Sequence, residues 1–158
     1  MTNFQTELET LIRARYPILY IVTSEEMRVQ NVIVEIAAKR QKKLFEWSYN
    51  TGVVPAGTSI QSQKNRNVAT RDPLQALDLV IEHVEPAIFI FKDFHPFLTK
   101  NNFAIVRKLK EIALHLKNSY KTIILLSPVL EIPTELEKEV TLLNYPLPTR
   151  EDLNVLLD

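Results

Sequence analysis

Residues 18–30 read ILYIVTSEEMRVQ, and this stretch decides the fold class. Its first five residues are apolar and rich in β-branched and aromatic side chains, which predicts a strand buried on both faces. The next four, TSEE, match the T-x-x-E capping box that begins a helix. Apolar residues then recur at helical spacing to about Gln41. A buried strand therefore leads directly into an amphipathic helix.

The same alternation of strand and helix continues along the rest of the chain. Apolar runs predict further strands at 44–48, 87–91, 122–126 and 140–145, with amphipathic helices before, between and after them. Such alternation is typical of a parallel sheet with helices on both faces. The sequence therefore predicts an α/β fold, a three-layer α/β/α sandwich around a five-stranded parallel sheet. Residues 50–69 show no periodicity and are predicted to form a long loop of functional or mobile character.

Composition narrows the classes of function. The chain has 158 residues, the size of one domain, and 19 basic residues balance 19 acidic ones. This balance predicts neither a nucleic-acid binder nor a membrane-surface binder. The absence of cysteine excludes disulfides and thiolate metal sites. His83, His95 and His115 show no metal-ligand spacing, so the sequence predicts no metal site.

Three phrases resemble the AAA+ ATPases, a family with the P-loop NTPase fold. AIFIFKDF at 87–94 resembles a Walker B strand with Asp93 at the carboxylate position, and TIILLSP at 122–128 resembles the sensor strand. YPLPTREDLNVLLD at 145–158 resembles the junction into the helical lid. The resemblance implies the strand order 5-1-4-3-2 and a core at 1–148. It also implies that 149–158 begins the junction to a lid or following domain, so the chain is expected to be a fragment.

The whole text, including EVTLLNYPLPTREDL, is similar to the N-terminal half of a plastid and cyanobacterial AAA family called hypothetical chloroplast reading frame forty-six. In that family a degenerate AAA-like module precedes a module with working ATPase motifs. The resemblance implies that ATP and Mg²⁺ bind to the parent protein and not to this domain. It also implies a partner in the adjacent AAA+ module or another protein, and oligomers only of the full-length protein. The implied location is the cyanobacterial cytoplasm or the chloroplast stroma, in a photosynthetic setting.

The turn after the first strand lacks the residues that bind a triphosphate. A working P-loop needs G-x-x-x-x-G-K-[ST], whereas this turn reads TSEEMRVQ. Thr23 and Ser24 therefore occupy degenerate Walker positions, and Arg28 is the one candidate to replace the missing lysine. We expect Glu26 to bond back to the cap and Glu25 to lie in the first helical turn. Both carboxylates would stabilise the positive end of the helix and repel phosphate.

The remaining AAA+ positions are also incomplete. Phe94 follows Asp93 where a catalytic glutamate would stand, so Asp93 is either a Mg²⁺ ligand without its partner or the end of a strand. Ser127 stands at the sensor position, but Pro128 follows it, and the residue may only end its strand. The segment PTELEKE at 133–139 contains no arginine finger. The sequence therefore predicts no catalytic residue and no bound cofactor in this segment.

Three functions are compatible with these residues. The first is a non-hydrolysing interaction module that uses the loop 50–69, with Lys64 and Arg66 as contact residues. The second is an active ATP-binding domain in which Asp93 holds Mg²⁺ and Arg28 replaces the lysine. The third is a receiver-like signalling domain with an acidic pocket formed by Glu25, Glu26 and Asp93. A receiver has the strand order 2-1-3-4-5, so the neighbours of the first strand distinguish it from the AAA+ type.

Overall fold

Four helices and six strands form the part of the chain that the computed structural model describes, residues 3–57, 67–99 and 101–145. The helices are α1 (Asn3–Arg13), α2 (Glu26–Lys39), α3 (Pro73–Glu82) and α4 (Phe103–Leu116). The strands are β1 (Ile18–Val22), β2 (Lys43–Ser48), β3 (Gly52–Pro55), β4 (Ala87–Lys92), β5 (Lys121–Ser127) and β6 (Val140–Asn144). No helix in these ranges is both long enough and apolar enough to cross a membrane.

The sheet has the order β3-β2-β4-β5-β1-β6. The five strands predicted from the sequence are β1, β2, β4, β5 and β6, and they pair in parallel in the predicted order 5-1-4-3-2. β1 lies between β5 and β6 and does not pair with β2. The strand order of a receiver domain is therefore wrong for this chain.

The prediction of a five-stranded, wholly parallel sheet is wrong in one respect. A sixth strand, β3, pairs antiparallel with β2 and makes the sheet mixed. It arises inside the segment predicted to be a loop, because two adjacent valines, Val53 and Val54, are buried against the edge of the sheet. The strand has four residues, of which the first is glycine and the last is proline, so the sequence shows no strand periodicity here. Lys64 and Arg66, together with the rest of 58–66, lie outside the described residues.

One other predicted element differs in extent. The helix expected near 133–138 is a single 3₁₀ turn at Thr134–Leu136. The predicted helix at 149–158, and with it the domain boundary after residue 148, lies outside the described residues. Of the predicted core at 1–148, the structure describes residues up to Tyr145, and the domain boundaries stay a prediction.

Each face of the sheet has its own apolar layer. On one face, residues such as Tyr20, Phe89 and Leu125 pack with the buried sides of α3 and α4. On the other face, residues such as Leu19 and Ile90 pack with α1 and α2. Because side chains alternate along each strand, the continuous apolar runs supply both layers at once. The predicted three-layer arrangement is confirmed.

The turn into β3 depends on Gly52. Its φ is +71°, and a Cβ at this position would lie 2.0 Å from the carbonyl oxygen of Asn67 and 2.6 Å from Oγ1 of Thr70. Thr70 in turn holds β3 and β2, because its Oγ1 accepts from the amide of Val53 at 2.8 Å and its carbonyl accepts from Nε1 of Trp47 at 2.6 Å. Close backbone approach therefore requires glycine here.

We expect Gly52→Ala to lower the free energy of unfolding by about 2–4 kcal/mol, since strain at positive φ adds to a clash with backbone. Gly57→Ala is the matched control, because Gly57 has φ +84° but no atom of the described residues within 4 Å of the added Cβ. Its cost should be about 1 kcal/mol. Urea denaturation of both variants measures the difference, and equal losses would contradict the assigned role of the Asn67 contact.

Candidate functional site

The carboxyl ends of β1, β4 and β5 lie side by side at one edge of the sheet, and the predicted site residues follow them. Thr23 comes directly after β1, Asp93 directly after β4, and Ser127 ends β5. The amide of Thr23 donates to the carbonyl of Ser127 at 2.9 Å, and the amide of Asp93 donates to the carbonyl of Leu126 at 3.0 Å. The structure therefore brings these three positions to the edge where ligands bind in parallel α/β sheets.

The turn between β1 and α2 differs from the predicted capping box. Oγ1 of Thr23 accepts from the amide of Glu25 at 2.8 Å, α2 begins at Glu26, and Glu25 is the N-cap without a side-chain capping bond. The predictions that Glu26 bonds back to the cap and that Glu25 lies in the first turn are therefore wrong. Thr23 still extends the strand through its bond to Ser127, which delays the start of the helix.

Arg28 and Ser24 lie in this same region but have different surroundings. Nε of Arg28 is 3.6 Å from Oε2 of Glu25, the N-cap of α2, and both side chains are about half exposed. Ser24 is exposed and makes no side-chain hydrogen bond within the described residues. The guanidinium of Arg28 is thus directed toward a carboxylate of its own helix.

A charged cluster that sequence reasoning missed lies beneath the first turns of α2. Nζ of Lys92 is 3.3 Å from Oε2 of Glu46 and 3.9 Å from Oε2 of Glu26. Nε2 of Gln30 donates to Glu46 at 2.7 Å. The side chains of Lys92 and Glu46 are only 17% and 13% exposed, so each charge depends on the other for compensation. Strand alternation could have found Lys92, because it lies in phase with the buried Ile90.

Asp93 is exposed and has an unusual backbone. Its φ is +53°, a conformation in which aspartate is tolerated better than most residues. Among the described residues, its carboxylate has no hydrogen bond and no ion pair. The turn directs the next residue, Phe94, into the core, where it is 1% exposed and packs against Trp47 and Phe91. The position of a catalytic glutamate is therefore occupied by a buried aromatic ring.

Ser127 is buried, and its hydroxyl is used inside the protein. Its Oγ donates to the carbonyl of Val129 at 2.7 Å and lies 2.8 Å from the hydroxyl of Tyr20. The hydroxyl of Tyr20 also accepts a hydrogen bond from the amide of Glu131 at 3.2 Å. Tyr20 was missed because it lies in the middle of an apolar strand. In this arrangement the hydroxyl of Ser127 anchors the chain after β5.

Metal-ligating residues do not converge at this edge. Within residues 3–57, 67–99 and 101–145, no group of three or more histidine, aspartate or glutamate side chains could hold a metal ion. Asp93, directly after β4, is an exposed carboxylate at this edge. The predictions of no catalytic residue and no cofactor in this segment stay predictions.

Comparison with known proteins places most of the chain within one family. The model of the family described as SpoVK-like AAA ATPase, N-terminal domain, matches residues 4–145. The chain belongs to this family. It is also 38% identical over 154 residues to the uncharacterized AAA domain-containing protein ycf46 of Trieres chinensis, and 34% identical to ycf46 of Guillardia theta. The AAA+ resemblance found in the sequence, down to the named family, is confirmed.

The match covers nearly all of this chain but a smaller share of each relative. In both relatives it includes 96% of this chain but 29% of the relative, so the chain spans less than a third of their length. Among solved structures, a chain from Drosophila ORC bound to DNA shares 10% identity with a TM-score of 0.44, covering 96% of this chain and 93% of that one. This level of structural likeness is too low to carry an argument about function.

We expect Lys92→Met to lower the free energy of unfolding by about 2–4 kcal/mol, because Glu46 would keep a buried charge without its cation. The Lys92→Met/Glu46→Gln double variant should lose less than the two single variants together, and a double-mutant cycle measures this coupling. Lys43→Met is the control, since Lys43 pairs with Glu85 at 2.9 Å where both side chains are more than half exposed. A loss at Lys43 as large as that at Lys92 would contradict the assignment.

Proposed function

We propose that this chain is a degenerate, non-hydrolysing AAA+ module that acts by interaction with an adjacent AAA+ module or another protein. The observation that carries the proposal is the occupation of the N-terminus of α2 by the protein's own charged side chains. In a working P-loop protein this helix end receives the phosphates.

Electrostatics at this helix end disfavour a triphosphate. Glu25, Glu26 and Glu46 supply three carboxylates, whereas Arg28 and Lys92 supply two cations, and three ion pairs join them to one another. The local net charge is therefore negative before the exposed carboxylate of Asp93 is considered. A triphosphate would have to approach this negative region, with Arg28 and Lys92 already paired.

Backbone geometry adds a second reason. A phosphate cradle needs several amide groups that converge on the ligand, usually with glycines that permit close approach. The only glycines of the chain are Gly52 and Gly57, in and after the β2–β3 hairpin. The amides of Thr23 and Glu25 already donate to acceptors within the protein.

One observation favours a second function, an active ATP-binding domain. Asp93 is exposed at the end of β4 and has no partner among the described residues, so its carboxylate is available to a Mg²⁺ ion. In this alternative Arg28 would leave Glu25 and contact phosphate. The buried Phe94 still leaves hydrolysis without a group to orient the attacking water.

The wider setting is proposed from the relatives. Because the chain spans 29% of the length of ycf46 from Trieres chinensis, we place ATP and Mg²⁺ binding in the remainder of a longer parent protein. That remainder, or another protein, is the proposed partner, and oligomers would form only in the full-length protein. The proposed location is the chloroplast stroma or the cyanobacterial cytoplasm, in a photosynthetic cell.

Thermal unfolding in increasing Mg-ATP, to millimolar concentration, tests the nucleotide half of the proposal. We expect no rise in the midpoint, whereas binding would stabilise the chain by about 2.7 kcal/mol at one hundred times Kd. A rise that Asp93→Ala abolishes, and that Glu137→Ala on the exposed surface leaves intact, would support the active alternative and overturn the proposal.

A mixing experiment tests the interaction half. The chain is combined with a ycf46 protein of Trieres chinensis from which the matching segment has been deleted, and the mixture is followed by sedimentation velocity. We expect a complex that sediments faster than either component. Independent sedimentation at micromolar concentrations, repeated with added Mg-ATP, would count against an adjacent AAA+ module as the partner.

A further inference from the structure

The amino edge of the sheet, opposite the candidate site, has two helix ends with unusual backbone. Arg15 follows α1 with φ +63°, and Gln41 follows α2 with φ +55°. In both cases the amide of the next residue closes the helix: that of Tyr16 donates into the last turns of α1 at 3.2 Å, and that of Lys42 into those of α2 at 2.9 Å. Glycine is the preferred residue at this position of such a motif. Arginine and glutamine are therefore conformationally costly choices here.

Two cations from these helix ends meet at one tyrosine. The guanidinium carbon of Arg15 lies 4.2 Å from the centre of the Tyr120 ring, and its Nη2 donates to the Tyr120 hydroxyl at 2.6 Å. Nζ of Lys42 donates to the carbonyl of Tyr120 at 3.1 Å. These residues precede β1, β2 and β5, whose parallel directions place all three at the same edge.

The two cations lack the acidic partners that their neighbours have. Glu9 neutralises this region of α2 by pairing with Arg40 at 2.8 Å and Lys39 at 3.3 Å. Within the described residues, neither Arg15 nor Lys42 forms an ion pair with a carboxylate. Burial, and then the nearby positive charges of Arg15 and Arg40, lower the pKa of Lys42 below its usual value. Like charges are thus held together without compensation.

We propose that Arg15, Lys42 and Tyr120 form a binding surface for an acidic segment of a partner protein. A guanidinium held against an exposed ring can present its remaining N–H groups to a carboxylate, and the ammonium of Lys42 adds a second charge. The surface is small. The nearby carboxylates of Glu9 and Glu85 are already paired with Arg40 and Lys43, so they do not neutralise Arg15 or Lys42. The chain also has no net charge, which suits a short carboxylate-rich segment better than a nucleic-acid backbone.

The backbone of Arg15 strengthens the assignment. Glycine would end α1 at lower conformational cost, yet it would remove the guanidinium from Tyr120. A costly residue with an exposed, unpaired charge indicates a role in binding more than in stability. The assignment rests on the proposed interaction role, but it concerns the edge opposite the proposed nucleotide position.

Fluorescence anisotropy with a labelled deca-glutamate peptide tests this surface at low ionic strength, where screening is weak. We expect the unsubstituted chain to bind, and Arg15→Gly and Lys42→Met each to weaken binding by about fivefold or more. Gln41→Gly is the matched control, because it introduces the same residue at the same backbone conformation without removing a cation. Its affinity should equal that of the unsubstituted chain, and circular dichroism should show that all variants are folded.

Three results would overturn the proposal. The first is that the unsubstituted chain fails to bind the peptide at millimolar concentration. The second is that Arg15→Gly and Gln41→Gly bind it equally well. The third is that Arg107→Met, on the exposed side of α4, weakens binding as much as Arg15→Gly does. Binding of a labelled oligouridylate in place of the peptide would reassign the surface to nucleic acid. Failure here leaves the Mg-ATP titration unaffected, so it is distinguishable from failure of the non-hydrolysing role.

Discussion

The burial of β1 between β5 and β6 is the constraint on which the rest of the structure depends. Ile18, Leu19 and Ile21 are wholly inaccessible to solvent, and both neighbouring strands run parallel to β1. A central parallel strand must be covered on both faces, so helices flank the sheet on each side. The shared direction of the five parallel strands sends their carboxyl ends to one edge and their amino ends to the other. The two sites discussed above are consequences of that single arrangement.

At the carboxyl edge, the family's ligand position and this chain's side chains compete for the same space. The fold supplies the geometry of a phosphate site: a strand, a tight turn and the positive end of a helix. The side chains of Glu25, Glu26 and Lys92 fill that geometry with internal ion pairs, and Ser127 bonds to its own chain. Membership of an ATPase family therefore specifies the scaffold, whereas the chemistry depends on these few residues.

At the amino edge, helix ends and strand starts alternate, and cations accumulate where helix dipoles are negative. Three of these cations have carboxylate partners, since Glu9 pairs with two of them and Glu85 with another. Among the described residues, Arg15 and Lys42 have no such partner, and both are hydrogen-bonded to Tyr120.

The sequence alone determined the fold class, five of the six strands, their order by family resemblance, and the absence of P-loop residues. These features are local: apolar periodicity, glycine content and short motifs can be read without knowing which residues meet. The tertiary structure decided the rest. Strand β3 exists only because β2 offers it an edge, and the capping box failed because Thr23 bonds to Ser127, more than a hundred residues away. The Lys92–Glu46 pair and the meeting of Arg15, Lys42 and Tyr120 likewise join distant segments. Contacts of this kind depend on strand pairing and helix packing, which no single stretch of sequence specifies.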